Sequence, residues 1–477
     1  MANKRGEGNG RRGLPRGPQA LPRAEVVADQ RRRLFEALLE LINEHGLGGV
    51  RISELVAHAG VSRRSFYEHF HNKEECLLAA FDASVQRLTE AMAHAYDPKM
   101  EGREQVQAIV RSLFDATLER PNATRLVCVD VIAAGAEGME RWAQGAARFE
   151  SYLGEVFARA PGEGGIPEPV TKAVVGALRK ILYSRVASGQ SGRALRAELE
   201  RALPEVVEWI CCYYPSPEGI PMRPRRLRNV QRAGRHVGGW AGGRAPGSLV
   251  TFSRQSPRGL PPGEHNLPRG FVEHNQRERI FDAIANLTAA RGYPALSLED
   301  VAAEAAVSLQ TFYSHFESKD EAFVATYEVG HARALAICTE AFAAGETWVQ
   351  GVRTAIAALL EFLAAEPSYA HLACVDITVA FPRLTERVEQ ARSAYAELLA
   401  SRLYRLNGAS SGVGESSSIV GEAIVGGIFE LLHDYVARGL TERLPELGDH
   451  ATYITLTPFI GSEAAAAAVL SSTLVRT

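Results

Sequence analysis

The chain has 477 residues, 46% hydrophobic and 23% charged, the balance of an ordinary globular protein and far too long for a disulfide-stapled miniprotein. At about 100–200 residues per domain it predicts two to four domains. A net charge of −3 argues, taken as an average, against a nucleic-acid binder.

Residues 1–24, beginning MANKRGEGNGRRGLPRGPQ, read as a basic flexible arm. No apolar segment follows the positive charges, so the arm is not a secretory signal, and no uncharged apolar run approaches the roughly 18 residues that span a bilayer. A cytoplasmic protein with no membrane partner is expected. The six cysteines show no CxxC spacing and read as reduced thiols.

Residues 25–88 open with Phe35, Leu38, Leu39 and Ile42 at i, i+3, i+4, i+7, one apolar helical face. Glycines at 46, 48 and 49 break that helix. ISELVAHA, the turn Ala59-Gly60-Val61-Ser62 and RRSFYEHF then give two short helices about a tight glycine turn, a helix-turn-helix. Ser62 stands where an N-cap is needed, and Phe66 and Phe70 face inward. Arg63, Arg64, Ser65 and Tyr67 fall on the outer face, where guanidinium forks reach guanine edges or phosphates and hydroxyls reach phosphates. His69, beside the phenylalanines, reads either as packing or as part of that face. Asn72-Lys73-Glu74-Glu75 is a capping box. Lys73 sits in a first turn, where the helix dipole disfavours a cation, and is read as sharing a DNA phosphate with the free N–H groups.

Residues 89–214 carry helical apolar periods, and residues 215–273 are rich in Pro, Gly and Arg, a linker composition. From Gln276 the first motif returns at an offset of 246: 18 of 53 positions are identical between 30–82 and 276–328, so the chain is a tandem of whole domains. Residues 274–334 repeat the helix-turn-helix as LEDVAAEA, Ala305-Ala306-Val307-Ser308 and LQTFYSHF. Ala306 replaces the turn glycine and predicts altered geometry or strain. Ser308, Gln310, Thr311, Tyr313, His315 and Lys319 are the second set of candidate DNA-binding residues, with a second capping box at Ser318-Lys319-Asp320-Glu321. Residues 335–477 form the second helical region. There the register slips, so that Val186-Ala187 pairs with Val436-Ala437 beyond a longer loop near Asn407. Asp130, Asp376, His371 and His433 read as satisfied polar groups of these regions. No metal-spaced cluster, phosphate-cradling loop or nucleophile elbow is present, so no cofactor, metal or enzymatic activity is expected.

AGVSRRSFYEHFHNKEE at Ala59–Glu75 and AAVSLQTFYSHFESKDE at Ala305–Glu321 resemble the signature of the TetR family of bacterial transcriptional regulators, and LPELGDHATYITLTPFIG at Leu444–Gly461 is similar to the tail of many members. The resemblance implies an all-α fold of two tandem copies, each a three-helix DNA-binding unit with a larger regulatory bundle whose last helices pair with a partner. It implies phosphate contacts at Tyr67, Tyr313, Lys73 and Lys319. At the start of the second helix, where the family often has Thr, this chain has Arg51 in copy one and Ser297 in copy two. It also implies a repressor of double-stranded DNA released by a small apolar effector.

The copies are not equivalent. Residues 51–75 are neutral, whereas residues 297–321 carry one lysine against six acids, with Leu309 and Gln310 where copy one has Arg63 and Arg64. Copy two therefore reads a different half-site, Gln310 pairing with adenine, or has lost most of its grip on phosphate. Two functions stay open: a DNA-binding regulator, or a ligand-binding or protein-interaction module whose second helix-turn-helix no longer binds DNA. Two assemblies stay open as well, an intrachain pseudo-dimer reading an asymmetric operator with half-sites about 34–36 Å apart, and a homodimer. Residues 1–33 carry nine Lys/Arg against three acids and residues 215–279 twelve against four, so the net −3 hides basic arms on acidic bodies.

Overall fold

The computed structural model describes residues 22–100, 102–158, 168–187, 192–213, 267–377, 385–406 and 416–474. The arm up to residue 21, most of the expected linker and the loop at 407–415 lie outside them. Every regular element among the described residues is helical. Copy one runs α1 (Arg23–Gly49), α2 (Ile52–Ala59), α3 (Arg63–His69), α4 (Lys73–His94), α5 (Gly102–Glu119), α6 (Pro121–Cys128), α7 (Ala136–Ala158), α8 (Glu168–Ala187) and α9 (Gly192–Cys211). Copy two repeats the order: α10 (Arg269–Arg291), α11 (Leu298–Glu304), α12 (Leu309–His315), α13 (Lys319–Ala343), α14 (Trp348–Ala365) and α15 (Pro367–His371), which continues into a π turn at Leu372–Asp376. It closes with α16 (Thr385–Leu406), α17 (Ser416–Ala437), α18 (Gly448–Ile460) and one added helix, α19 (Ser462–Leu474).

The expected boundaries at 88 and 334 fall inside α4 and α13. Helix α4 carries an apolar face along its whole length: Leu77 and Phe81 close the core of the head, Leu88 and Met92 that of the bundle. One helix thus couples the two units. In α1 the buried stripe is Leu34, Ala37, Leu38, Leu41 and Ile42, while Phe35 and Leu39 are half-buried at its edge. Helix α14 is long and apolar enough by composition to cross a membrane; here Val352, Ala355, Leu360 and Leu363 are buried in the bundle of copy two.

The two copies meet along α8 and α17. A Cβ on Gly176 would lie 2.3 Å from Cβ of Glu430, and one on Gly426 would lie 2.7 Å from Cβ of Lys180, so the glycines let the helices approach closely. Charge is sorted across this seam. Arg185 meets Glu422 at 2.6 Å, Lys172 meets Asp434 at 2.9 Å, and Arg179 pairs with Glu430. The Tyr213 hydroxyl, just beyond α9, donates to the Ile454 carbonyl of α18 at 3.0 Å. A single apolar core runs through both copies at this level, whereas the head of copy one has a core of its own.

Candidate nucleic-acid interface

Three side chains of α1 fix the position of α2 and α3, and each has a counterpart in copy two. The Arg33 guanidinium donates to the carbonyls of Ala59 and Gly60 at 3.0 and 2.9 Å, and Arg279 donates to that of Ala306 at 3.1 Å. Arg31 lies 4.9 Å from the Phe70 ring centroid, and Arg277 lies 4.8 Å from that of Phe316. Nε2 of His69 is 2.8 Å from Oε1 of Gln30, and Nε2 of His315 is 3.0 Å from Oε1 of Gln276. Both histidines are half-buried and turned toward the first helix of their copy. Burial, with Arg277 nearby, holds the His315 imidazole below its usual pKa, and Glu273 opposes this. The sequence reading missed Gln30, Arg31 and Arg33 as positioning residues, although Gln30 and Arg33 recur unchanged at 276 and 279 and Arg31 has the same residue at 277.

The turns differ as their sequences require. Gly60 adopts φ +61°, and Ala306 adopts φ +50°, the one non-glycine with positive φ among the described residues. Ser62 and Ser308 cap α3 and α12, accepting from the amides of Ser65 and Thr311 at 3.0 Å. The hydroxyls of Ser65 and Thr311 lie 2.9 Å from those caps. Ser297 likewise caps α11, accepting from Asp300 N, whereas Arg51 precedes α2 exposed and offers no capping bond.

Phe66, Phe70, Phe312 and Phe316 are buried, leaving one outer face on each short helix. On α3 that face carries Arg63, Arg64 and Tyr67, with Tyr67 47% exposed, Arg63 5.8 Å from its ring centroid, and Arg64 bonded to Glu68 at 3.1 Å. On α12 it carries Leu309, Gln310 and Tyr313, the last 55% exposed. The first face offers two guanidiniums beside a phenol, the second an alkyl group, an amide and a phenol.

Lys73 and Lys319 are placed otherwise than expected. Lys73 Nζ donates to the carbonyls of Leu47 and Val50 at 2.8 and 3.1 Å, with Gly48 O at 3.4 Å, and so closes the frayed end of α1 beyond the kink at Gly46. Lys319 donates to Leu296 O at 2.8 Å and lies over the Tyr293 ring at 4.6 Å. The carbonyls hold the ammonium in a first turn where the helix dipole alone would repel it. The capping boxes are also shifted. Asn72 and Ser318 accept from Glu75 N and Glu321 N, but the glutamates reach back to the amides of His71 and Glu317, one residue before the cap.

Arg31, Arg32 and Arg33, counted with the basic arm, belong to the folded head: Arg32 pairs with Asp29 and Glu36 at 2.7 and 2.9 Å. In the bundles, His371 meets Asp376 at 2.6 Å, Asp130 meets Arg125 at 3.3 Å, and His433 meets the Cys374 carbonyl at 2.8 Å. Copy one has an apolar cavity of about 60 Å³ among α4, α5, α6, α7 and α8, lined by residues that include Phe81, Met92, Trp142, Phe149, Leu178 and Arg179.

Residues 34–80 and 280–326 match the family model described as bacterial regulatory proteins, tetR family. Similar solved structures include a TetR-like transcriptional regulator from Rhodococcus sp. RHA1, 19% identical over 39% of this chain and 96% of that one, TM-score 0.32. The fatty acid degradation regulator FadR from Bacillus halodurans is 16% identical over 38% and 98%, TM-score 0.35. The transcriptional regulator FadR from Bacillus subtilis, in complex with stearoyl-CoA, is 17% identical over 38% and 96%, TM-score 0.33.

Proposed function

We infer that this chain, a member of the TetR family with one helix-turn-helix domain in each of its two copies, is a sequence-specific DNA-binding regulator of transcription. The observation that carries the reading is the outer face of α3, where Arg63, Arg64 and Tyr67 stand exposed on a helix pinned from behind by Gln30, Arg31 and Arg33. A rigidly held helix with two guanidiniums at its N-terminal end suits a major groove, where each bidentate base contact discriminates by about 1–3 kcal/mol. Ser297, and one hydroxyl of each of the pairs Ser62–Ser65 and Ser308–Thr311, can donate a proton to a phosphate while the caps Ser62, Ser297 and Ser308 still accept from the amides of Ser65, Asp300 and Thr311. Arg51 adds an exposed cation at the edge of the same face. Such a regulator acts in the cytoplasm, beside its DNA.

The two copies act as an intrachain pseudo-dimer. The sorted charges of α8 and α17 support this assembly over a homodimer, and unlike faces on α3 and α12 support an asymmetric operator. The reading extends to a repressor released by a small apolar effector. The apolar lining of the copy-one cavity suits such a molecule, its volume of about 60 Å³ must widen to admit one, and Arg179 lies 4.5 Å from the Trp142 ring centroid while pairing across the seam with Glu430. Widening the cavity would therefore disturb the contact between copies. A second reading, in which the acidic head of copy two docks a protein, is favoured by Leu309, 40% exposed beside Tyr313.

Mobility shifts on genomic fragments selected by the wild-type chain test these readings. Arg63→Ala/Arg64→Ala is expected to abolish retardation, and Gln310→Ala/Tyr313→Ala to weaken it and relax one half-site. If neither variant alters binding, the assignment of the reading heads fails; if only the first does, copy two is the protein-interaction module.

A further inference from the structure

A second space in copy one has charged groups set in largely apolar walls. A crevice of about 340 Å³ lies between the head and the bundle, walled by Phe35, Glu36 and Leu39 of α1, by Ser84 and Arg87 of α4, and by the α5–α6 junction at Glu119–Ala123. Nε and Nη2 of Arg87 are buried without a hydrogen-bond partner. These two N–H groups share one edge of the guanidinium, the edge whose spacing takes both oxygens of a carboxylate or two of a phosphate. Burial, reinforced by the positive charge of Arg120, pulls the Arg87 pKa down, and Glu119 opposes this. Of the other acids on the walls, Glu36 is bonded to Arg32 at 2.9 and 3.1 Å with Arg120 at 3.9 Å, and Glu40 is bonded to His58 at 2.6 Å. Helix α6 opens onto the same space through Pro121 and Asn122, and its cap residue Arg120 supplies no side-chain acceptor.

Copy two serves as an internal comparison. Arg333 stands where copy one has Arg87 and lies over the Phe362 ring at 5.4 Å, but Glu366 stands in place of Arg120. Copy one instead sets two cations beside one crevice and leaves a forked donor edge unmatched. A buried charged donor without an acceptor is costly, so a bound group that supplies the acceptor is stabilised there.

We propose that this crevice is an oxyanion site, in which Arg87 takes a carboxylate or phosphate group in bidentate fashion with Arg120 beside it. The bound group would bridge α1 of the head and α4 and α6 of the bundle, and so set the angle between them. That last consequence rests on the DNA-binding reading; binding of the anion does not.

The test is thermal unfolding of the full chain in sodium phosphate, in sodium acetate and in sodium chloride at matched ionic strength. At saturation the midpoint is expected to rise by about 3 °C or more over chloride in phosphate, in acetate or in both, and the responding arm names the group. Arg87→Met is expected to lose the rise while matching or exceeding the wild-type midpoint in chloride, because an unmatched guanidinium has left the interior. Arg120→Gln, at an exposed position, should weaken the response about tenfold in anion concentration, a change of about 1.4 kcal/mol in binding. Arg333→Met should keep it in full. Equal midpoints in all three salts, or an undiminished rise in Arg87→Met, overturn the proposal.

Discussion

Reversing the acids of α17 (Glu422→Lys, Glu430→Lys and Asp434→Lys together) is expected to open the seam between the copies. Reversing Lys172, Arg179 and Arg185 to Glu in the same chain is expected to close it again. Glu430 is only 4% exposed, and the other five side chains of the three pairs are mostly buried. Breaking a buried pair by removing one partner costs about 3–5 kcal/mol, and breaking a solvated one about 1 or less. Pairs between these limits, at roughly 2 kcal/mol each, lose about 6 kcal/mol when all three are broken. Like charges about 4 Å apart at an effective dielectric of 20 add up to about 4 kcal/mol per contact. The sum is of the order of the whole stability of a domain, about 5–15 kcal/mol. Sedimentation mass and the urea midpoint of the full chain are the measurements. The triple variant should lose most of its midpoint or self-associate, and the six-fold variant should recover most of the loss. A triple variant with the wild-type midpoint, or a six-fold variant no better than the triple, would show that packing at Gly176 and Gly426 sets the pairing without the charges.

The same seam distinguishes mixed from like pairing. Aligned at the later offset, Lys172 corresponds to Glu422, Lys180 to Glu430 and Ser184 to Asp434. Across the seam Lys172 faces Asp434, and Ser184 donates to Glu422, so one pair of positions meets twice, as a pseudo-two-fold requires. Two copy-one surfaces joined in this geometry would bring Arg185 against Lys172 and Arg179 against Lys180. Two copy-two surfaces would bring Glu422 against Asp434. Both like pairings are repulsive, and only the mixed one is attractive, a sorting by repulsion as much as by attraction. Burial and the neighbouring cations already hold Lys180 down at about 8.

Three further outcomes follow from the heads and the second bundle. Ala306→Gly should raise the urea midpoint, worth roughly 0.5–1 kcal/mol, by relieving a left-handed alanine, whereas Gly60→Ala should lower it by a similar amount; a lower midpoint for Ala306→Gly would contradict the strain. Lys73→Met should destabilise the chain by about 2 kcal/mol, because a charged donor to the α1 carbonyls is lost; an unchanged midpoint with a shallower salt dependence of DNA binding would instead make Lys73 a phosphate ligand. The His331 imidazole is held down from 6.5 to about 4, chiefly by burial and also by Arg392, while a bond to the Ala391 backbone opposes this. A lowered folded pKa means that the unfolded chain takes up the proton first. The stability His331 supports is therefore present above pH 6.5 and is lost as pH falls toward 4, by up to about 3 kcal/mol. His331→Gln should flatten the fall in urea midpoint between pH 7 and pH 5, and a parallel fall in both proteins would assign it to other groups.

Local order was legible where the cause is local. Ser62, Ser308, Asn72 and Ser318 cap the helices they precede, and Phe66 and Phe70 turn inward, because a cap or a helical face is decided within four residues. Strain at Ala306 was legible for the same reason, since the repeat puts glycine at the equivalent turn. Lys73 was not legible, because its acceptors lie in the kinked end of α1, and nothing within a turn of Lys73 encodes them. Arg31, Arg32 and Arg33 were grouped with the arm by their net charge, yet stacking on Phe70, pairing with Asp29 and Glu36, and anchoring of the α2–α3 turn use all three inside the fold. The cations and acids of α8 and α17 belong to helices that are distant in sequence and adjacent only after folding. Local charge patterning marks a solvated face or an arm, and it becomes an assembly rule only when tertiary structure sets Lys172 opposite Asp434 and Glu430 against Gly176.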